Sequence, residues 1–292
     1  MTFSLGSRAK GPQRSWPQRR KAVGVLWRAS LVVLMLAFGV PAQALTLRWC
    51  LNEVASPPWR LGANDRPRLG DKGPTARGLE YDFLRLLAQR LGWEFEWVQR
   101  PWRRCLLELQ RGEHDALMGM SYLPEREALY RYPMRDGQPN ESLAYHTFGY
   151  ALYLRTGQRS PWDGQRWSLA PGVALAVPQG YSIAAVLRQQ QVAVDDSHRS
   201  TEDALAALVD GRVLAAALPV EEVEGVFVRQ PSWRAQLQRA EPLLQKRAYF
   251  IVLSPAFADS NPELAQRVWR ESAAVRQSPV FLKALAAQRS ER

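Results

Sequence analysis

The stretch GLEYDFLRLLAQRLGWEFEWVQRPWRRCLLELQRGEHDALMGM, Gly78 to Met120, changes hydrophobic period three times. Leu79, Phe83, Leu86, Leu87 and Leu91 recur at helical spacing, and Gly92 follows as a helix stop. Glu94 to Val98 alternates polar and aromatic residues, which is the period of a strand. Pro101 then opens a second helix with Trp102, Cys105, Leu106 and Leu109 on one face, and Gly112 ends it. Ala116 to Met120 is a short apolar strand, and Leu45 to Leu51, upstream of a Pro- and Gly-rich loop from Glu53 to Arg77, is another. The order β-α-β-α-β with short links predicts a parallel α/β sheet with right-handed crossovers.

Downstream, Leu143 to Leu154 is long, aromatic-rich and extended, the character of a strand crossing into another lobe. Arg155 to Ala170 is polar, with Gly and Pro, as a linker would be. The strand pattern restarts at Val173 to Val177, and Tyr181 to Gln190 has helical spacing. Thr201 to Asp210 is a further helix, with Ser200 and Asp203 spaced as a capping box, and Val213 to Leu218 is the next strand. Ala248 to Leu253 is strand-like, and Asn261-Pro262 opens a helix carrying Leu264, Val268 and Val275. A short helix from Phe281 closes the pattern.

The first 44 residues hold seven basic residues and no acid, then an apolar run from Leu31 to Val40, then Pro41-Ala42-Gln43-Ala44. A basic head, a short apolar core and an A-x-A end are the parts of a secretory signal, with the cut expected after Ala44. An uncleaved anchor is the alternative, since Ala29 to Leu47 is a charge-free run of 19 residues. Of the chain's 39 Lys and Arg against 28 Asp and Glu, removing those seven leaves 32 against 28, a net charge of +4. The sequence pI of 10.1 therefore belongs largely to the signal. The remaining arginines are scattered rather than clustered, which excludes a nucleic-acid reading. No later apolar run approaches membrane-spanning length, so a soluble protein of two lobes is expected, acting as a monomer.

Taken in order, Gly78-Leu-Glu-Tyr-Asp82, Leu91-Gly92, Trp102, Leu109-x-x-Gly112-x-x-Asp115-Ala116 and Ser121 with Glu125-Arg126 resemble the extracellular solute-binding protein family 3. These are the polar amino acid receptors of ABC importers. Val173 to Val177 with Gly180-Tyr181-Ser182, and Ala204 to Val213 around Leu208 and Gly211-Arg212, are similar to the second half of that family. The resemblance implies a periplasmic binding protein-like fold of type II, two α/β lobes with a ligand cleft between them. Lobe 1 would be residues 45–148 plus 247–292 and lobe 2 residues 149–246, after a signal peptide of residues 1–44. The implied role is periplasmic capture of a small polar, carboxylate-bearing solute for delivery to an ABC permease. A sensor component that binds ligand, or a dehydratase-like enzyme on the same fold, are the alternatives. No H-E-x-x-H, G-x-S-x-G or phosphate loop is present, so neither catalysis nor a cofactor or metal is expected.

The family's carboxylate-binding arginine corresponds to Arg126, whose guanidinium fork suits a carboxylate; a surface ion pair with Glu125 or Glu127 is the other reading. Ser121 keeps the family's first hydroxyl, while Leu123 stands where a second would be. The family's ammonium-binding Asp falls on Pro219, and its strand Asp on Leu214, so Glu221 or Glu222 would have to substitute. Pro57-Pro58-Trp59 corresponds to an aromatic lid, with Trp59 either stacking on ligand or packing under the long loop. Trp102 belongs to the cleft rim or the lobe edge. Tyr181 and Ser182 sit at a strand-to-helix turn suited to an anion. Gly119 on the third strand and Glu53 just past the first complete the set, Glu53 facing the cleft or standing as a solvated carboxylate. In this fold the strand order resembles 2-1-3, so the helix carrying Cys105 crosses the strand carrying Cys50. A disulfide between them is expected, with two buried free thiols as the alternative.

Overall fold

A computed structural model describes residues 45–61 and 78–290, with no account of the side chains of 288–290. The expected signal sequence and the expected cut after Ala44 lie outside the described residues. The first strand, β1 (Thr46–Asn52), is buried along nearly its whole length, with Leu47, Trp49 and Leu51 on one face and Cys50 on the other. After it, α1 (Leu79–Leu91) buries Leu79, Phe83, Leu84, Leu87 and Leu91 against that first face. Its acids Glu80 and Asp82 stand in the first turn, where the helix dipole favours them. Gly92, at φ 68°, ends it in the left-handed conformation and donates its N–H to the Ala88 carbonyl at 2.9 Å.

Next come β2 (Glu94–Arg100), α2 (Trp102–Gln110) and β3 (Ala116–Ser121). β1 pairs in parallel with β2 on one side and β3 on the other, so the order is β2-β1-β3 and α2 must pass over β1. That crossing brings Cys105, in the first turn of α2, onto Cys50, and the two form a disulfide with a Cα–Cα distance of 5.5 Å. A short helix, α3 (Pro124–Glu127), and a hairpin of β4 (Met134–Arg135) and β5 (Gln138–Pro139) follow.

The long crossing strand is β6 (His146–Arg155); Leu143 falls in a 3-10 turn, Glu141–Leu143, that precedes it. The chain continues as β7 (Ala174–Pro178), α4 (Ser182–Gln189), β8 (Ala193–His198), α5 (Thr201–Val209), β9 (Ala215–Pro219), α6 (Val220–Arg229), α7 (Pro231–Gln236) and β10 (Leu237–Arg239). β7 pairs in parallel with β8 and β9, so the order β8-β7-β9 repeats the 2-1-3 order of the first half. Half of the expected capping box at α5 forms: Ser200 Oγ accepts from Asp203 N–H, while Asp203 Oδ2 accepts from Arg199 N–H, one residue before the cap, instead of from Ser200 N–H.

β11 (Gln245–Leu253) joins the halves. Gln245 to Tyr249 pairs with β6, and Tyr249 to Leu253 pairs with β3, both antiparallel. The helices α8 (Pro255–Ser260), α9 (Pro262–Arg276) and α10 (Pro279–Ser290) then return to the first half. There Val268, Trp269, Val275 and Phe281 complete the core around α1. Asn261 precedes α9 as expected, but its side chain donates to the Phe257 carbonyl instead of capping the helix. Hydrophobic clusters divide the same way, one pair drawing on residues 47–148 and 250–281, the other centred on residues 150–244.

Candidate functional site

The parallel strands β1, β3, β7 and β9 end where loops and helix starts replace sheet, the usual place for a ligand in an α/β protein. Asn52, Ser121, Gly180 and Pro219, at or just past those four strand ends, line one cleft. It holds about 580 Å³, counting space open to solvent.

Gly119 shapes one wall. Met120 pairs with Phe250 and Met118 with Ile251, so Gly119 is the extra residue of a β-bulge. Its φ of 96° suits only glycine, and a Cβ would lie 3.4 Å from the Tyr145 hydroxyl. Ser121, next along β3, donates from Oγ to Ser182 Oγ at 2.7 Å, across to the first residue of α4.

Arg126 in α3 lies at the same end. Its NH1 donates to the Ser121 carbonyl at 3.0 Å and its NH2 to the Gly180 carbonyl at 2.8 Å. Trp102 Nε1 donates to that Gly180 carbonyl as well, at 3.3 Å. Gly180 has φ 76°, and a Cβ there would stand 3.1 Å from the indole of Trp102. The two carbonyls fix the plane of the guanidinium without neutralising it. Among the described residues Arg126 has no carboxylate partner; Glu127 instead accepts from the Tyr122 hydroxyl at 2.6 Å.

Glu222, in the first turn of α6, supplies the opposite charge. Its carboxylate accepts from the Tyr181 hydroxyl at 3.2 Å and from the Thr201 hydroxyl. Burial and the Glu222 charge hold the Tyr181 phenol well above its ordinary pKa, so it remains a neutral donor. Of the two glutamates that could replace the family's Asp, Glu222 lines the cleft, while Glu221 faces a different depression beside Arg239 and Lys246.

A second arginine, which sequence reasoning missed, lies further along. Arg60 Nε donates to the Val54 carbonyl at 3.1 Å, and its NH1 pairs with Glu80 of α1. Burial works against its charge, but the carboxylates of Glu80 and Glu222 outweigh that and hold its pKa above the ordinary arginine value. Trp59, 4% exposed, packs beside it in an aromatic cluster with Tyr145, His146 and Phe148. Both packing and cleft lining therefore describe Trp59.

Of the residues singled out in the sequence, Arg126, Ser121, Trp59, Gly119, Tyr181, Ser182 and Trp102 all line this cleft. Glu53 does not line it; its backbone N–H donates to the Arg100 carbonyl at 2.9 Å, continuing the β1–β2 ladder. One grouping at metal-ligand distance among the described residues is Cys50, Glu108 and His114, away from the cleft. Cys50 is committed to the disulfide there, so only a Glu–His pair remains to offer donors.

Residues 68–284 match the model of the bacterial extracellular solute-binding proteins, family 3. No curated protein matches the sequence. Similar solved structures include a periplasmic binding protein of Salmonella typhimurium with high arginine specificity, at 14% identity and a TM-score of 0.63, covering 84% of this chain and 99% of that one. A histidine kinase sensor domain similar to periplasmic binding proteins gives 17% identity and a TM-score of 0.63, with 84% and 96% covered. An ancestral amino acid-binding protein, a precursor of cyclohexadienyl dehydratase, gives 18% and 0.59, with 83% and 94% covered. At these identities the likeness is one of fold, the periplasmic binding protein-like type II architecture. No helix of the described residues is long and apolar enough to cross a membrane.

Proposed function

The chain belongs to the bacterial extracellular solute-binding proteins, family 3, and from that premise we propose that it captures a free amino acid in the periplasm for an ABC importer. The observation that carries this is the pair of opposite charges in one cleft. Arg126, held flat by two carbonyls, is free of any described carboxylate, and Glu222 is held by two hydroxyls. An α-carboxylate on Arg126 and an α-ammonium on Glu222 would satisfy both. Trp102, Gly180, Ser121 and Ser182 frame the carboxylate end. The protein is read as a binder, not a catalyst, and as exported by the signal of residues 1–44, cut after Ala44.

Two lobes, residues 45–148 plus 247–292 and residues 149–246, would close on the solute by bending where β6 and β11 pair. The division of the hydrophobic clusters supports that boundary. A sensing role is the second reading, favoured by the likeness to a histidine kinase sensor domain.

A thermal-shift screen of the purified protein against the twenty amino acids, polyamines and small dicarboxylates tests the proposal. A melting temperature that rises with ligand excess is expected for at least one amino acid. Arg126→Ala and Glu222→Gln should each abolish most of that rise, since a lost charge-assisted bond costs about 1.5–3 kcal/mol. Stabilisation by amines that lack any acid group, or an unchanged response in Arg126→Ala, would overturn the assignment.

A further inference from the structure

Arg60 has no counterpart in the reading of the cleft as an amino-acid clamp, and its surroundings say what it can do. It comes from the loop after β1, yet its side chain is only 13% exposed and its partner Glu80 only 2%. Nε and NH1 are taken by the Val54 carbonyl and Glu80. Among the described residues its NH2 group has no hydrogen-bond partner, and Arg60 lines the cleft. Asn52 lines it too, with its Oδ1 taken by Val54 N–H at 3.2 Å, so its amide nitrogen is the group left to donate. This part of the cleft therefore offers donors. Its formal charge is already balanced, because Glu80 offsets Arg60.

Resting on the amino-acid reading above, we propose that Arg60 is the specificity residue of the cleft and selects an amino acid whose uncharged side chain ends in a hydrogen-bond acceptor, such as a carboxamide. Arg126 and Glu222 balance one another, as the two charges of a zwitterion do. A cationic side chain would meet the Arg60 guanidinium, while the acids near it are already engaged, Glu80 with Arg60 and Glu222 with the ligand's ammonium. An anionic side chain would gain a bond from Arg60 but would add charge to a site that also holds Glu80 and Glu222. A neutral acceptor takes the bond and escapes both costs. Trp59, Tyr145 and Phe148 give its methylene stem an apolar wall. The expected selectivity is thus the reverse of the arginine specificity of the Salmonella protein, and exclusion by like charge would produce it.

Calorimetric titration with L-glutamine, L-asparagine, L-glutamate and L-arginine decides the matter. The wild-type protein should bind the better carboxamide at least about tenfold more tightly than L-arginine, because like charges a few ångströms apart oppose each other by several times RT. Glu80→Gln leaves the Arg60 charge unbalanced, so its preference should move toward L-glutamate. The double variant Arg60→Met/Glu80→Gln, which leaves no buried lone charge, should lose the discrimination against L-arginine while still binding. Tightest wild-type binding to L-arginine overturns the proposal and leaves the amino-acid reading intact. An unchanged ranking in a folded Glu80→Gln protein overturns it as well. Binding of no free amino acid at all removes the amino-acid reading and this proposal together.

Discussion

Around β1 the core is built from large rings: Trp49, Trp59, Tyr81, Phe83, Tyr145, Phe148, Trp269 and Phe281 share one cluster, and the disulfide closes the opposite face. Around β9 rings are fewer and alanines take a larger share among the leucines and valines. Ala151, Ala176, Ala204 and Ala216 lie between the sheet and α5 and α6, and Ala215 and Ala217 face the other way beside Ala184 and Ala240. Large rings fill space between elements kept apart, whereas alanines let a helix approach the sheet closely. The first half should therefore be sensitive to what is removed from it, and the second to what is added.

Removing the disulfide is the largest test of that contrast. Cys50 and Cys105 are 55 residues apart in sequence. Closing a loop of that size in the unfolded chain is worth about 4 kcal/mol in the chain-entropy account. The variant Cys50→Ala/Cys105→Ala should melt about 10 °C lower in a calorimetric scan. A melting temperature within about 2 °C of the wild type would mean the rings alone hold the first half.

Adding one methyl group to the second half comes next. Gly225 in α6 approaches the first half so closely that a Cβ would stand 2.2 Å from the Pro57 carbonyl oxygen. Alanine in place of glycine should itself stabilise a helix by about 1 kcal/mol. The clash opposes that gain only where the halves meet. Gly225→Ala should thus leave the melting temperature nearly unchanged and weaken amino-acid binding by about tenfold, roughly 1.4 kcal/mol. Titration of the variant against the wild type measures this. Unchanged affinity would show that the approach of Gly225 to Pro57 plays no part in binding.

The same contrast explains what the sequence disclosed. The helices and strands of the first half were legible because rings and leucines recur on a buried face, as at Leu79, Phe83 and Leu87. β8 was not, because Ala193-Val-Asp-Asp-Ser-His198 is a half-exposed edge strand without an apolar alternation. β10 and the β4–β5 hairpin are too short to carry a period. In the cleft, Arg126 was legible through the resemblance to the family's carboxylate-binding arginine. Arg60 was not: its partner Glu80 is twenty residues away across a Pro- and Gly-rich loop, and no local pattern couples the two. The buried position of Glu80, on the apolar side of a helix it shares with Leu79 and Phe83, was the one available signal that a cation had to be near.

The smallest effect concerns a buried carboxylate of the first half, beside the disulfide, whose arginine partner is exposed. Glu108 in α2 accepts from Arg104 at 2.6 Å and shares a 2.8 Å hydrogen bond with His114 Nε2. Burial alone would raise its pKa, but the bonds to Arg104 and His114 outweigh it and hold the carboxyl below its ordinary 4.5. A carboxylate whose folded pKa is depressed adds stability that is fully present above the ordinary value and is lost as the pH falls through the depressed one. Arg104 is 64% exposed, so solvent screens the pair, and the contribution should be under about 1 kcal/mol. Glu108→Gln should therefore melt slightly below the wild type at neutral pH, and the gap should close on acidification below the carboxylate range. A gap that persists in acid would assign the loss to packing against the disulfide rather than to charge, placing Glu108 with the rings instead of with the surface.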